Sequence, residues 1–351
     1  MPIQDAQPVF VCGVPKSGTT LFMALLDGHK DLLVFPEQCA YLNFPIHGEV
    51  QKDDVLQSLF KEEKLPRFKN ERVLGDRINK EKKDYSSIDY AYFSKSATDF
   101  YYDTLSHLKQ EGDRDPKIAL LALLHGFALA SNHLSFQSWI LKQTKYEFYL
   151  DKIFKDFPNA RIIYLLRNPI ESSLSRTIKK MKKKKLKEKN ESVSEIRHSH
   201  LKIKAFYLEE WKKSVSAISV AQKEHASRVL IVRYEELTEH PEVVMHGVSE
   251  FLGITWTPSL LVPTFMGNPW QGNSMQGKKY TTIQKNESRS LPHSLQWQAQ
   301  AILGRHLSKW GYADNHSATR RVDLRGLFSL LPGERLGPAI KYRVRKILSI
   351  Q

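Results

Sequence analysis

The sequence predicts an α/β fold in three layers, in which helices flank a central parallel β-sheet. Residues Pro8–Val14 form a short, uninterrupted apolar run, which is typical of a strand covered on both faces. A polar loop follows, then apolar residues at helical spacing from Leu21 to Leu26, and then a second apolar run, Asp31–Phe35. The order strand, loop, helix, strand is typical of doubly wound α/β proteins, and Gly28 and Pro36 are predicted to end the helix and the second strand.

A second strand–loop–helix unit is predicted further along the chain. Residues Ala160–Leu166 form the clearest strand pattern, and apolar residues at helical spacing follow Pro169 on one face. A further helix is predicted to begin at Pro241 and to stop at Gly253. The remaining predicted elements are a helix at 118–131, a short strand at 139–142, an amphipathic helix at 201–218 and a strand at 228–234.

The length and the net charge of the chain indicate its number of domains and the type of partner it binds. Its 351 residues are predicted to form one domain, 1–351, and 53 Lys and Arg against 38 Asp and Glu give a net charge of +15. This charge favours an anionic partner: nucleic acid, phospholipid, or a small substrate carrying phosphate or sulfate. We expect an insertion at 43–115 that lines a substrate pocket, an exposed basic loop or fraying helix end at 179–192, and a basic tail at 320–351 that packs on the body or touches a membrane surface.

Several classes of protein are disfavoured by the sequence. The longest apolar stretch, 118–130, is shorter than the roughly 20 residues of a membrane-spanning helix, so no span is expected. The first strand begins too early for a secretory leader to precede it, which predicts a cytoplasmic protein. Cys12 and Cys39 are expected to be buried thiols, and no Cys/His spacing indicates a metal site.

The loop between the first strand and the first helix has the composition of an anion-binding site. Backbone N–H groups at a helix N-terminus point towards one place and favour negative charge there. Gly18 permits a tight turn, Lys16 supplies a positive charge, and Ser17, Thr19 and Thr20 supply hydroxyl donors. The loop is of P-loop type, but Thr19 stands where nucleotide triphosphatases carry lysine, which argues against ordinary nucleotide hydrolysis.

A second anion site is predicted where the strand Ala160–Leu166 ends. Arg167 offers a bidentate cation there, and Ser175 offers a hydroxyl on the following helix. The alternative is that Arg167 pairs with an acid such as Glu171 and that Ser175 is a surface residue. Two anion sites at one sheet edge suit a nucleotide with phosphates at both ends of its ribose, whereas ATP needs only the first site.

Four segments, taken in order, resemble the sulfotransferases that use 3′-phosphoadenosine 5′-phosphosulfate (PAPS). The sequence is closer to the tyrosylprotein, glycan and bacterial branch of that family than to the cytosolic steroid and phenol branch. The segment Trp139–Thr144 departs from the family pattern, because Leu141 replaces an acidic residue and Lys145 a proline. The similar segments are Pro15–Thr20 (5′-phosphosulfate loop), Trp139–Thr144, Arg167–Pro169 with Ser175 (3′-phosphate motif) and Asn268–Ser274 (the tryptophan–glycine loop that closes over the nucleotide).

The resemblance implies a reaction and a set of site residues. A sulfuryl group would pass from PAPS to a hydroxyl, 3′-phosphoadenosine 5′-phosphate (PAP) would be released, and no metal would be required. Glu37 would be the base, Lys16 would face the bridging oxygen, and Lys142 and Ser274 would face the transferred group. The nucleotide would be held by Pro15, Lys16, Ser17, Gly18, Thr19, Thr20, Arg167, Ser175, Tyr234, Trp270, Gly272 and Asn273.

Other interpretations stay open from the sequence alone. Glu37 is alternatively a surface or helix-capping acid. His125 lies on a largely apolar helix, where a satisfied core histidine is more typical than a base. The chain is alternatively a P-loop kinase that uses ATP, or a non-enzymatic protein that binds nucleic acid or a membrane through the lysines at 179–189. The acceptor is a small molecule, a carbohydrate or a peptide hydroxyl. Nucleic acid is not the expected partner, and the oligomeric state is not indicated.

Overall fold

The computed structural model describes residues 3–38, 116–187, 204–270 and 293–312, and all structural statements below concern these ranges. Short 3₁₀ turns lie at Tyr146–Phe148, Ala226–Arg228 and Pro258–Leu261. The helices and strands, in chain order, are β1 (Gln7–Cys12), α1 (Thr19–Leu26), β2 (Leu32–Gln38), α2 (Pro116–Ala130), β3 (Ser138–Lys142), α3 (Leu150–Asp156), β4 (Arg161–Leu166), α4 (Pro169–Lys187), α5 (Ala205–Glu224), β5 (Val229–Arg233), α6 (Tyr234–Glu239), α7 (Pro241–Leu252), β6 (Thr264–Phe265), β7 (Asn268–Pro269), α8 (His293–Leu303) and α9 (Arg305–Lys309).

Five strands form a central sheet in the order β2-β3-β1-β4-β5, and every neighbouring pair is parallel. The first strand is therefore the middle strand of the sheet. A parallel sheet has all its carboxyl ends at one edge, and ligands bind in the crevice at that edge. The predicted α/β fold with a central parallel sheet is confirmed.

Both faces of the central strand are buried, as the uninterrupted apolar run predicts. Val9 and Val11 belong to a core that includes Phe22 of α1 and Met245 of α7. On the opposite face, the ring of Phe10 packs edge-on against Trp139 and Tyr146, each with ring centroids 5.4 Å apart. Alternate residues of a strand point to opposite faces, so an all-apolar strand serves two layers of helices.

The second strand does not end at Pro36, contrary to the sequence prediction. β2 continues to Gln38, and its pairing with β3 is irregular between Val34 and Gln38. Proline has no N–H to donate, so it is tolerated in a strand at a sheet edge or at a bulge. β2 is an edge strand with an irregular register, which explains why Pro36 is compatible with it.

The first helix does not end on Gly28 in the way predicted. Its C-cap is Asp27, in the right-handed helical region, and Gly28 has no positive φ. A Cβ on Gly28 would lie 3.3 Å from Thr264 Oγ1, so close packing is the reason for a small residue here. In contrast, Gly253 ends α7 with φ of 69°, as predicted.

The lysine-rich segment is helical as far as the structure describes it. α4 runs through Lys187, so this part of 179–192 is a helix end and not a loop. The rest of that segment, the insertion at 43–115 and the tail at 320–351 lie outside the described residues. The chain separates into two compact units, Met1–His306 and Leu307–Gln351, and the predicted single domain stays a prediction. Among the described helices, none is long and apolar enough to cross a membrane.

Candidate functional site

Predicted site residues from all five strands lie at the carboxyl edge of the sheet. β1 leads into Gly13, β3 ends at Lys142, and Arg167 follows β4 directly. Tyr234 follows β5 in the same way, and the backbone of Glu37 lies near the end of β2. Gln38 is the register partner of Lys142, which places the end of β2 beside the end of β3. Residues far apart in the sequence are thus brought to one edge.

The anion-binding loop has a backbone that depends on glycine. Gly13 and Gly18 have φ of 142° and 101°, and Lys16 also has a positive φ, 78°. A Cβ on Gly13 would lie 2.6 Å from Leu165 O, and one on Gly18 would lie 2.3 Å from Tyr234 Cδ2. The loop turns directly into α1, so its N–H groups lie at the positive end of the helix dipole.

Within that loop, Ser17 has an unsatisfied hydroxyl. Its side chain is completely buried, and its Oγ has no hydrogen-bond partner among the described residues. The Ser17 N–H donates to Val14 O at 3.1 Å, which closes the turn. A buried hydroxyl without a partner is costly, and a bound oxyanion would satisfy it.

Lys142 lies beside the start of α1. Its side chain is only 5% exposed, and its Nζ donates to Thr20 Oγ1 at 3.2 Å. The end of β3 therefore lies beside the loop. A buried ammonium group next to the loop favours negative charge there.

Arg167 also contacts the loop. Its Nη1 donates to Lys16 O at 3.1 Å, and its guanidinium carbon lies 4.1 Å from the centroid of the Tyr234 ring. Its Nη2 donates to Glu171 Oε2 at 3.1 Å, which is the ion pair that the alternative interpretation predicted. Its Nε is buried and has no partner among the described residues, so the guanidinium retains a donor for a ligand.

The structure describes only some of the other predicted site residues. Ser175 is half-buried on α4, one helical turn beyond Glu171 on the same face. Trp270 is half-buried directly after β7, and its backbone N–H donates to Pro263 O at 3.1 Å. Gly272, Asn273 and Ser274 lie outside the described residues, and Glu37 is described only as part of the β2 backbone.

Two residues of this edge were not assigned from the sequence. Asn168 caps α4, because its Oδ1 accepts the N–H of Ile170 at 2.9 Å. An Asn-Pro pair before a helical pattern is a recognisable signal for such a cap. Glu235 Oε1 accepts the N–H of Asn168 at 2.8 Å. No sequence signal indicates this bond, because its partners lie on different strand ends.

Asp27 connects the end of α1 to the hairpin formed by β6 and β7. Its Oδ2 accepts two hydrogen bonds, from the Thr264 hydroxyl at 2.8 Å and from the Gly267 N–H at 2.9 Å. Met266 and Gly267 form the two-residue turn, and both have positive φ, 51° and 73°. Burial raises the pKa of the Asp27 carboxyl, although the hydrogen bonds of the hairpin partly oppose this.

A buried polar cluster joins the 3₁₀ turn at Tyr146–Phe148 to β4 and α5. The Ser214 hydroxyl donates a hydrogen bond to Glu147 Oε1 at 2.6 Å. Its Oγ also lies within hydrogen-bond distance, 2.6 Å, of Tyr164 Oη. Burial raises the pKa of Glu147, and burial together with the Glu147 charge raises the pKa of the Cys12 thiol. The cluster therefore links Cys12, at the end of β1, through Glu147 to Ser214 of α5.

The structure is that of an α/β protein with a glycine-dependent loop, predicted to bind an anion, at the end of its central strand. A model described as "Sulfotransferase family" matches residues 8–258, which is most of the chain. The chain therefore belongs to the sulfotransferase family.

Individual relatives are more distant. The chain is 25% identical over 262 residues to protein-tyrosine sulfotransferase 1 of Danio rerio, and 24% identical over 260 residues to protein-tyrosine sulfotransferase 2 of Gallus gallus. The matches cover 74% and 72% of this chain but only 56% and 53% of those proteins, so the chain spans about half the length of these curated relatives.

A solved structure with a similar chain is the sulfotransferase domain from the Synechococcus PCC 7002 olefin synthase. It has 19% identity and a TM-score of 0.46, with 84% of this chain and 94% of that chain covered. The sulfotransferase domain from the curacin biosynthetic pathway has 18% identity and a TM-score of 0.43, with 88% of this chain and 98% of that one covered.

Proposed function

We propose that this sulfotransferase takes its sulfuryl group from PAPS, transfers it to an acceptor hydroxyl and releases PAP. The observation that carries the proposal is the contact between the two predicted anion sites. Arg167, after β4, donates to the backbone of Lys16 in the loop after β1. A nucleotide with one phosphate on each side of its ribose needs two anion sites that are close together, and ATP does not.

The residues present suit a doubly phosphorylated nucleotide. The loop N–H groups, the Ser17 hydroxyl and the Thr19 and Thr20 side chains would hold the 5′-phosphosulfate end. Arg167 Nε, buried without a protein partner, would donate to the 3′-phosphate. The hydroxyl of Ser175 and the segment that begins at Trp270 complete the proposed nucleotide site.

The residues proposed to act in the reaction come mainly from the ends of β1, β2 and β3. PAPS supplies an activated sulfuryl group. Sulfuryl transfer forms a bond between the acceptor oxygen and sulfur and breaks the bond between sulfur and the 5′-phosphate oxygen. Glu37 takes the proton of the acceptor hydroxyl, while Lys16 and Lys142 offset the charge that gathers on the bridging and transferred oxygens. Ser274 donates to the same oxygens.

The acceptor is proposed from the relatives. Two proteins named as protein-tyrosine sulfotransferases are similar to most of this chain, so a tyrosine hydroxyl in a peptide is the first acceptor to test. The net charge of +15 favours a peptide that carries acidic residues around the tyrosine.

The proposal is tested by comparing the binding of PAP with that of adenosine 5′-monophosphate (AMP), which lacks the 3′-phosphate. We expect PAP to bind more tightly, and Arg167→Ala to reduce this preference by about 10- to 150-fold, the cost of losing charge-assisted hydrogen bonds. The measurement is isothermal titration calorimetry with both nucleotides. Arg228→Ala is the control, because Arg228 lies at the opposite edge of the sheet, where its Nη1 donates to Pro158 O.

The same titrations separate the proposal from the kinase interpretation. A kinase would bind Mg·ATP tightly and gain nothing from a 3′-phosphate. Equal affinity of the wild-type protein for PAP and AMP, or displacement of PAP by low concentrations of Mg·ATP, would overturn the PAPS assignment.

A further inference from the structure

The peptide unit that joins Arg167 to Asn168 is held at both of its polar groups by side chains. Trp211 Nε1 donates to Arg167 O at 3.0 Å, and Glu235 Oε1 accepts the N–H of Asn168 at 2.8 Å. The C=O and N–H of one peptide bond lie in a single plane, so these two hydrogen bonds fix the orientation of that plane. The Cα of Arg167 lies in this plane, so fixing the plane also constrains the direction in which the Arg167 side chain leaves the backbone.

These two hydrogen bonds orient the backbone just beyond the end of the paired region of the sheet. The register of β4 and β5 ends at Leu166 and Arg233. Beyond that pair, the described register of the two strands does not continue. Glu235 lies two residues after Arg233, in the first turn of α6, and its carboxylate contacts the backbone two residues beyond the end of β4. A side chain of the neighbouring strand end thus continues the connection between the two strands.

The guanidinium itself is held by the same strand end. Tyr234, which directly precedes Glu235, lies with its ring centroid 4.1 Å from the Arg167 guanidinium carbon. Arg167 is consequently positioned twice by consecutive residues, once through its side chain and once through its backbone. A bidentate cation discriminates between ligands only when its geometry is fixed in advance.

We propose that Glu235 is a positioning residue that gives the site its selectivity for a 3′-phosphate. It acts through Arg167, by holding the Arg167–Asn168 peptide, and it does not itself touch the nucleotide. This inference rests on the proposed function, because the 3′-phosphate is the group that distinguishes PAPS and PAP from other adenine nucleotides. Glu235 should affect the recognition of that group and leave the 5′-phosphate end unchanged.

The test measures the dissociation constants of PAP and AMP for four proteins: wild type, Glu235→Ala, Glu235→Gln and Glu236→Ala. We expect Glu235→Ala to reduce the preference for PAP over AMP by about 10-fold or more, with AMP affinity within about twofold of wild type. Glu235→Gln retains an acceptor oxygen and should restore most of the preference. Glu236→Ala is the matched control, because Glu236 is an adjacent exposed acid, 58% accessible, that pairs with Arg233.

The outcomes are distinguishable. If Glu235→Ala weakens PAP and AMP equally, Glu235 has a general structural role and the inference is wrong. If wild type prefers PAP and Glu235→Ala keeps that preference, the inference alone fails. If wild type shows no preference, the proposed function fails and the inference falls with it. Glu235→Asp, whose shorter side chain cannot keep the same bond, replaces the alanine variant if that variant does not fold, and it should also lose the preference.

Discussion

At the scale of single residues, the structure gives Gly18 two separate reasons to be glycine. Its φ of 101° lies in a region that side chains rarely adopt, and a Cβ would lie 2.3 Å from the Tyr234 ring. The anion loop therefore turns into α1 only with glycine at this position. The sequence identified the need for a tight turn, but the contact with Tyr234 depends on how β5 lies in the sheet.

We expect Gly18→Ala to lower the free energy of unfolding by about 1–3 kcal/mol through backbone strain, and to abolish PAP binding because the loop must shift. Urea denaturation and calorimetric titration measure the two effects. Gly247→Ala is the control, since Gly247 lies within α7 with nothing within 4 Å of a Cβ. It should raise the free energy of unfolding by roughly 0.5–1 kcal/mol and leave binding unchanged. A Gly18→Ala protein with wild-type binding would contradict the assigned loop geometry.

Glu147 predicts a pH dependence of stability. Burial raises the pKa of this carboxyl above its ordinary value of 4.5, so the folded state binds the proton more tightly than the unfolded state. The stabilisation is complete below the ordinary pKa and is lost as pH rises through the raised pKa. Glu147→Gln cannot titrate. We therefore expect the free energy of unfolding of wild type, relative to that of the variant, to fall in urea denaturation as the pH rises above the ordinary pKa of 4.5 and through the raised pKa. A difference that stays constant with pH would contradict this.

At the scale of elements, the hairpin of β6 and β7 is too short to be stable by itself. Each strand has two residues, and Met266 in the turn adopts a left-handed conformation that disfavours side chains. The hairpin is stabilised from outside, by the Asp27 carboxylate at the end of α1. This hairpin leads directly to Trp270, so α1 supports both the anion loop at its start and the hairpin at its end.

Asp27→Ala should lower the free energy of unfolding by about 1–3 kcal/mol, because the Thr264 hydroxyl and the Gly267 N–H lose their acceptor. Asp27→Asn keeps one acceptor oxygen and should cost less. Asp5→Ala changes an exposed acid near the N-terminus, and a change within about 0.5 kcal/mol is expected in the same urea titration. An Asp27→Ala variant as stable as the Asp5→Ala variant would show that the hairpin does not depend on this carboxylate.

At the scale of the whole molecule, the net charge of +15 acts on the rate of encounter with an anionic ligand. A positive potential concentrates anions near the surface and speeds association, and salt screens this effect. We expect the association rate constant of PAP, measured by stopped flow, to fall about 10-fold between about 0.05 M and 0.5 M NaCl, with a smaller change in the dissociation rate. An association rate independent of salt would indicate that the charge serves some other purpose.

Prediction from the sequence succeeded where the signal was local. The all-apolar strands, the glycine loop and the helix from Pro241 to the Gly253 cap each depend on a few neighbouring residues. It was wrong where a tertiary contact decided the conformation. Pro36 is accommodated because β2 lies at the sheet edge, and Gly28 is needed for its packing against Thr264.

The candidate site follows the same division. The sequence could place Lys16, Lys142, Arg167 and Tyr234 at strand ends, because each follows an apolar run. It could not show that Arg167 pairs with Glu171 while also binding the loop, nor that Glu235 holds the backbone after Arg167. Such bonds join residues from different strands, and their formation depends on strand order.

The amino-acid sequence by itself determined the parallel α/β architecture, the tight loop between β1 and α1 and the resemblance to a family, since these depend on residue type and spacing. Only the tertiary structure decided which strand lies in the middle and which strand ends are neighbours. Strand order is set by the packing of helices on both sheet faces, a property of the whole core that no short segment encodes. That order brings β4 between β1 and β5, and so places Arg167 against the loop on one side and Tyr234 and Glu235 on the other.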